Sequence, residues 1–164
     1  MTATEPRPVT EGIGDVIRRH ADMVYRIAFT YTKNRADTDD VFQEVFLRLC
    51  RKGNVFGGDE HIKAWLIRVT VNVCKSFLTS AWRTKTAEMT DDIPALAEEF
   101  KEVYDAVHAL NPKYGIPVYL HYFEGYNVAE IAGVLSLNEN TVKSRLHRAR
   151  SILKKRLKGD YADV

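Results

Sequence analysis

Apolar residues recur every three or four positions along almost the whole chain of 164 residues, and no stretch alternates apolar with polar residues. That spacing places apolar side chains on one side of an α-helix, whereas a half-buried strand needs strict alternation. We therefore predict an all-α protein. The length allows one ordinary domain or two small helical domains of roughly 70–80 residues each.

The first half of the chain reads as a series of helices. We predict a first helix over residues 15–33, a short break at 32–36, and a second helix that Asp37 caps and that ends near Arg51. A loop with three glycines follows at 52–58. Asp59 then caps a helix over residues 60–71, and a further helix over 73–82 follows a break at Asn72.

The second half opens with an amphipathic helix predicted over residues 98–110. Asn111 and Pro112 form an N-cap followed by proline at the first helical position, so the next helix starts there. We expect Pro117 to give that helix a kink or an irregular start, because proline cannot donate its backbone hydrogen bond. Gly125 ends the helix.

The strongest local signal lies at residues 127–157. Asn127 and Glu130 match a capping box that opens a short helix over residues 128–135. Ser136 occupies a tight turn of a kind that often needs a positive φ, where a serine costs about 1 kcal/mol relative to glycine. Asn138 then caps a long basic helix over residues 139–157, and the whole pattern predicts a helix-turn-helix.

The net charge is only +2, but basic and acidic residues are concentrated in separate segments of the chain. Residues 61–85 hold five basic residues and no acid, residues 88–105 hold seven acids against Lys101, and residues 139–158 hold eight basic residues against Glu139. Residues 84–97 also lose helical periodicity. We predict two domains, 15–83 and 98–160, that present anion-binding surfaces, with a tail at 1–14 and a flexible acidic linker at 84–97.

Several classes of protein are disfavoured by what the sequence lacks. No apolar run approaches the roughly 18–20 residues that span a bilayer, and residues 1–14 have no apolar core of a secretion signal, so we expect a cytoplasmic protein without membrane insertion. Cys50 and Cys74 fall in apolar helical patterns and are expected to be buried thiols. We see no grouping typical of a metal, cofactor or catalytic site, and expect none.

The predicted final helix has two chemically different sides. Val142, Leu146, Ala149, Leu153 and Leu157 stack on one side, and the opposite side carries polar and basic residues: Asn140, Lys143, Ser144, His147, Arg148, Ser151, Lys154 and Lys155. Such a face suits the major groove of DNA, where the N-terminal part of the helix meets base edges and distal lysines meet phosphates.

Two segments of the first half are also candidates for binding. The acid-free stretch 61–85 mixes cations with Trp65, Phe77 and Trp82, a combination that holds single-stranded nucleic acid, although each aromatic taken alone reads more simply as core. Along 37–51, the exposed side of the helix carries an apolar Leu47 among acids and amides. From physics alone, a protein-docking face and an ordinary solvated exterior are equally good interpretations there.

The order of these motifs resembles that of a bacterial extracytoplasmic-function (ECF) RNA polymerase sigma factor. YRIAFTYTKNRADTDDVFQEVFLRL resembles the first two helices of sigma region 2, and HIKAWLIRVTVNVCKSFL resembles its DNA-melting and −10-reading part. The segment from LNPKYGIPVY to SILKKRL resembles the region 4 helix-turn-helix. The resemblance implies a non-enzymatic factor that binds core RNA polymerase and promoter DNA, with an anti-sigma factor as a further expected partner.

The resemblance also implies roles for particular residues. Those that would dock on core polymerase are Asp39, Asp40, Gln43, Glu44, Leu47 and Arg48. Asn72, Lys75 and Ser76 would match the loop that takes an extruded −10 base, beside Lys63 and Arg68. The −35 element would be met by Asn138, Asn140, Thr141, Lys143, Ser144, His147 and Arg148, with Asn138 and Thr141 on backbone phosphate or capping the helix.

Two other functions remain open on the sequence. A stand-alone helix-turn-helix regulator, such as a dimeric repressor, would bind duplex DNA without core polymerase. An adaptor that only joins proteins would keep promoter activity when basic residues of the last helix are removed. Both differ from a sigma factor in whether core polymerase gains start-site selection.

Overall fold

The computed structural model describes residues 12–53, 56–81 and 98–161, and within them the chain is helical without a strand. It divides into two compact units, Met1–Asp91 and Asp92–Val164. The predicted linker at 84–97 and nearly all of the predicted tail lie outside the described residues. The helices are α1 Ile13–Thr32, α2 Arg35–Lys52, α3 Asp59–Ala81, α4 Glu98–Ala109, α5 Pro112–Tyr122, α6 Val128–Leu135 and α7 Glu139–Tyr161. The all-α prediction is confirmed.

The first unit packs α1, α2 and α3 against one another in pairs. Each helix supplies fully buried aliphatic side chains to this core. They are Val24 and Ile27 of α1 and Val41 and Val45 of α2, at three-to-four spacing, and the adjacent Leu66 and Ile67 of α3. Because each helix buries one side in this common core, its opposite side is left for solvent or for a partner.

The junction between α1 and α2 differs from the prediction. α1 ends at Lys33 in the left-handed conformation (φ 61°), and Asn34, not Asp37, is the N-cap of α2. The Asn34 side-chain oxygen accepts from the Asp37 backbone amide at 2.8 Å, and its Nδ2 donates to the Asp37 carboxylate at 2.8 Å. The prediction was wrong because the chain reverses within two residues, which brings Asp37 into the first turn as the partner of the cap.

α3 runs without interruption through Asn72, so the predicted break there is wrong. Asparagine costs only a fraction of a kcal/mol in a helix interior. Burial of Val71, Val73 and Cys74 on either side outweighs that cost, and Asn72 itself points to solvent. The two cysteines also differ from each other, because Cys74 is buried as expected whereas Cys50, on the outer side of α2, is exposed.

In the second unit, α5 lies between α4, α6 and α7 and contributes Ile116, Val118, Tyr119 and Leu120 to the core. Asn111 caps it as predicted, by accepting from the Lys113 amide, and Pro112 opens it. The helix continues through a buried Pro117, so the expected irregular start is absent. Proline this close to the N-terminus removes a single helical bond, which burial of its ring offsets.

Candidate nucleic-acid interface

The helix-turn-helix is set by local hydrogen bonds. Asn127 Oδ1 accepts from the Glu130 amide at 2.8 Å, and the Glu130 carboxylate accepts from the Asn127 amide at 3.1 Å. The predicted capping box of α6 is therefore confirmed. Before it, Gly125 (φ 73°) turns the chain out of α5, and the Tyr126 amide donates back to the Leu120 carbonyl.

The turn between α6 and α7 contains a strained serine. Ser136 ends α6 in the left-handed conformation, with φ 54° and ψ 45°. The positive φ expected of this turn is thus adopted by serine itself. Two residues later, Asn138 Oδ1 accepts from the Asn140 amide at 2.8 Å, which caps α7 as predicted. The left-handed Ser136 and the Asn138 cap thus form the turn that joins α6 to α7.

α7 has the two sides that its sequence predicts. Val142, Leu146 and Ala149 are buried against α5 and α6. The predicted −35 residues that are exposed are Asn138, Asn140, Lys143, Ser144, His147 and Arg148, while Thr141 is half-buried. The unit therefore exposes a polar and cationic face of α7, while the opposite, apolar face of the helix is packed in the core.

Four of the five residues predicted to meet the −10 element share one exposed face of α3. Arg68, Asn72, Lys75 and Ser76 are exposed. The last three follow Arg68 by four, seven and eight residues, which places all four along one side of a continuous helix. Lys63 is half-buried and lies on a different side of α3, apart from the other four. Since these residues are in mid-helix, the predicted match of Asn72, Lys75 and Ser76 to a loop is wrong.

A cluster of aromatic rings and one cation, not predicted from the sequence, begins the same face of α3. Phe56 lies edge-on to both His61 and Trp65, with ring centroids 5.4 Å apart in each case. Lys52 Nζ lies 5.6 Å from the Phe56 centroid and 5.4 Å from that of Trp65. The acid-free run pointed to Trp65, but Lys52 and Phe56 precede that run and reach Trp65 only through the fold.

The start of α3 is fastened to α1 by charged groups. The Asp59 carboxylate accepts from Arg19 Nη1 at 2.5 Å and lies 3.0 Å from His20 Nε2. His20 is buried and Asp59 is exposed, so the contact forms at the edge of the core. Asp59 thereby holds the N-terminus of α3, just after Phe56, against the side of α1.

The outer face of α2 carries the residues predicted to dock on core polymerase. Asp39, Asp40, Gln43, Leu47 and Arg48 are exposed, and Glu44 is half-exposed. Leu47 is 50% exposed, a large apolar side chain left uncovered on an otherwise polar face. Glu44 accepts from Arg48 Nε at 2.9 Å one turn along the helix. The outer side of α2 therefore carries these polar side chains together with a leucine whose surface is half uncovered.

Comparison with known families decides what these two units are. Residues 16–84 match Sigma-70 region 2, and residues 100–153 match Sigma-70 region 4. The RNA polymerase sigma factor SigV of Bacillus subtilis is 30% identical over 84% of this chain and 86% of its own length. The ECF sigma factor SigM of Mycobacterium tuberculosis is 31% identical, over 84% of this chain and 73% of its own length. The chain is an ECF RNA polymerase sigma factor.

Other sigma factors agree with this assignment. The ECF sigma factor SigE of Mycolicibacterium smegmatis is 29% identical over 85% of this chain, which spans 59% of that longer protein. Sigma factors are non-enzymatic transcription initiation factors. Their regions 2 and 4 bind core RNA polymerase and promoter DNA, which are therefore the partners of this sigma factor. Among the described helices, none combines the length and the apolar character that crossing a membrane requires.

Solved structures of sigma factors share the fold. The sigma factor RpoE of Bartonella quintana, solved in complex with the anti-sigma factor NepR, superposes with a TM-score of 0.73 at 20% identity, over 88% of this chain and 96% of that one. CnrH, solved with the cytosolic domain of CnrY, superposes with a TM-score of 0.62 at 24% identity, over 90% and 88% of the two chains. At these identities the likeness establishes the architecture of the sigma factor, and the roles of its residues must be argued from its own chemistry.

Proposed function

We propose that this sigma factor directs core RNA polymerase to promoters through three surfaces: the polar face of α7 reads the −35 element, the exposed face of α3 holds the −10 strand, and the outer face of α2 docks on core. The observation that carries the proposal is that α7 exposes a cationic face while its opposite, apolar face is buried in the core. A helix held in this way enters a major groove without reorganisation.

The −35 assignment follows from the position of each side chain along α7. Asn140, Lys143 and Ser144 lie in the first two turns after the cap, the part of a recognition helix that reaches base edges. His147 and Arg148 lie one turn further on the same side. The Asn138 side chain already caps the helix, so we assign it to positioning α7, and assign half-buried Thr141 to the edge of the interface.

The −10 assignment rests on a face that combines stacking surfaces with cations. The aromatic cluster of Phe56, His61 and Trp65 leads along α3 to Arg68, Asn72, Lys75 and Ser76. Unstacked bases bind aromatic faces, and cations follow the strand backbone. We therefore propose that the cluster receives a base of the melted strand while Arg68 and Lys75 hold its phosphates. The half-buried Lys63, on another side of α3, is the weakest member of the predicted set.

The docking assignment rests on Leu47. Burying the side chain of a leucine fully contributes about 1.5–3 kcal/mol, so covering its exposed half contributes about 1 kcal/mol. Asp39, Asp40 and Glu44 lie on the same outer side of α2, and their carboxylates would meet basic residues of the partner. Leu47→Ala should therefore weaken core binding by roughly fivefold.

The decisive experiment is run-off transcription with purified core polymerase that lacks any specificity subunit. Adding the full chain should produce a defined start site on a promoter selected by sequencing transcripts after overexpression. A stand-alone regulator would bind the duplex without core and produce no start site. An unchanged transcript pattern after adding the protein would therefore refute the proposed function.

Matched charge changes test the separate surfaces. Glu44→Lys should weaken core binding, whereas Asp22→Lys makes the same charge change on exposed α1 and should not. Lys143→Ala and Arg148→Ala should each cost about 1–3 kcal/mol and relax specificity at one −35 position. Arg156→Ala removes an exposed cation from another side of α7 and is the control. Equal effects of the paired variants would contradict the assigned faces.

We also infer that an anti-sigma factor holds this sigma factor inactive in the cytoplasm. The support is that RpoE and CnrH, which share its fold, were solved in complexes with an anti-sigma factor and with the cytosolic domain of CnrY. A protein that co-purifies with the chain from its host should, once added back, abolish the run-off transcript. A co-purified protein that leaves transcription intact is not the inhibitor.

A further inference from the structure

The most exposed large apolar side chain of the second unit, among its described residues, is Tyr122 at the end of α5, which is 55% exposed. It is engaged with the recognition helix. Arg150 Nε of α7 donates to Tyr122 Oη at 2.7 Å, and the Arg150 guanidinium carbon lies 5.6 Å from the centroid of the ring. The ring also lies edge-on to His121, with centroids 4.8 Å apart. A half-exposed tyrosine that binds an arginine of α7 in this way indicates a role at the surface of that helix.

Arg150 continues the line of exposed polar and basic side chains on α7. It lies seven residues after Lys143 and three after His147, so the three side chains follow one another along one side of the helix. At 1.5 Å per residue, Arg150 stands about 10 Å beyond Lys143 along the axis. When the first turns of such a helix meet base edges, its later turns leave the groove beside the phosphate backbone.

The chemistry left available on the pair fits a phosphate. Tyr122 occupies only the Nε of the guanidinium, so the two terminal nitrogens keep their N–H donors. The Tyr122 hydroxyl accepts from Arg150 and retains its own O–H for a second acceptor. Within the described residues no carboxylate pairs with Arg150, so its positive charge is not neutralised there. A planar guanidinium with its fork exposed matches a phosphate group.

We propose that Arg150, positioned by Tyr122, binds a backbone phosphate of promoter DNA at the edge of the −35 groove. The inference rests on the proposed function, in which α7 reads that element. Tyr122 is a positioning residue, because it holds the guanidinium before DNA arrives and so reduces the side-chain freedom lost on binding. The competing explanation is that the pair serves only to tie α5 to α7.

The salt dependence of promoter binding separates these explanations. Each phosphate contact contributes about 0.9 to the slope of log affinity against log salt concentration. A slope of that size changes the affinity about eightfold for each tenfold change in salt concentration. We would assemble the holoenzyme on core polymerase and measure anisotropy of a labelled promoter duplex from 50 to 200 mM salt. Arg150→Ala should reduce the slope by about 0.9 and weaken binding of promoter and −35-scrambled duplexes alike. Arg156→Ala, the control, should leave the slope unchanged.

The tyrosine is tested by variants that keep the charge. Tyr122→Phe retains the ring and loses the hydroxyl, so it should weaken binding a few-fold while leaving the slope unchanged. Arg150→Lys should behave in the same way, since an ammonium keeps the charge and loses the fork. If Tyr122→Phe binds DNA as tightly as the wild type, Tyr122 does not position Arg150.

The possible failures are distinguishable. If Arg150→Ala lowers the unfolding temperature and the affinity but leaves the slope unchanged, the pair is only a structural tie and the inference is wrong. If Lys143→Ala and Arg148→Ala abolish −35 discrimination while Arg150→Ala changes nothing, only the role of Arg150 fails. If none of the three variants alters discrimination or slope, the proposed use of α7 fails as well.

Discussion

The left-handed serine in the helix-turn-helix leads to a quantitative prediction. At φ 54° and ψ 45°, Ser136 pays roughly 1–2 kcal/mol for a conformation that glycine adopts freely. Glycine in turn increases the freedom of the unfolded chain, which costs about 0.4–1 kcal/mol. Ser136→Gly should therefore stabilise the second unit by about 0.5–1 kcal/mol. For a domain of this size, that corresponds to about 2–8 °C in Tm.

The assay is urea unfolding of the full chain followed by far-UV circular dichroism. Trp65 lies in α3, and the sequence of the second unit contains no tryptophan, so tryptophan fluorescence follows the first unit and provides an internal reference. Ser136→Ala is the matched control, because alanine keeps the strain and the side chain of the exposed serine makes no hydrogen bond within the described residues. If Ser136→Gly is no more stable than both the wild type and Ser136→Ala, the strain argument is refuted.

Other variants test burial, capping and the tie between helices. Burial raises the pKa of the Cys74 thiol to about 12, so at pH 8 a thiol reagent should label only exposed Cys50 in the native protein and both cysteines in urea; rapid native labelling of both would contradict burial of Cys74. Asn127→Ala removes half of the capping box and should destabilise the second unit by about 1 kcal/mol in the urea assay, whereas exposed Asn140→Ala should change little. Asp59→Ala removes the contacts of this carboxylate with Arg19 and His20 and should lower the stability of the first unit by about 1 kcal/mol, seen by tryptophan fluorescence; an unchanged transition would mean that these contacts contribute nothing.

Local chemistry made much of this fold predictable. The capping box at Asn127 and Glu130, the Asn111-Pro112 start of α5 and the buried side of α7 all depend on residues within a few positions of one another. The same holds for the exposed Leu47 on α2. Hydrogen bonds at helix ends and the 3.6-residue period involve residues within one or two turns of each other. A short stretch of sequence therefore contains all the residues that determine these features.

The predictions from sequence were wrong where two local conformations were close in free energy and contacts with residues distant in the sequence decided between them. Asn34 and Asp37 are both good caps, and the reversal after Lys33 selected Asn34. A break at Asn72 was locally reasonable, but core burial on both sides of it kept α3 whole.

The sequence by itself determined an all-helical chain, its helix-turn-helix and the identity of the cationic faces. Packing alone brought Lys52 and Phe56 to Trp65, Arg19 to Asp59, and Tyr122 to Arg150, pairs up to 40 residues apart in the chain. Such meetings depend on how whole helices cross in the core, and no local pattern records that geometry.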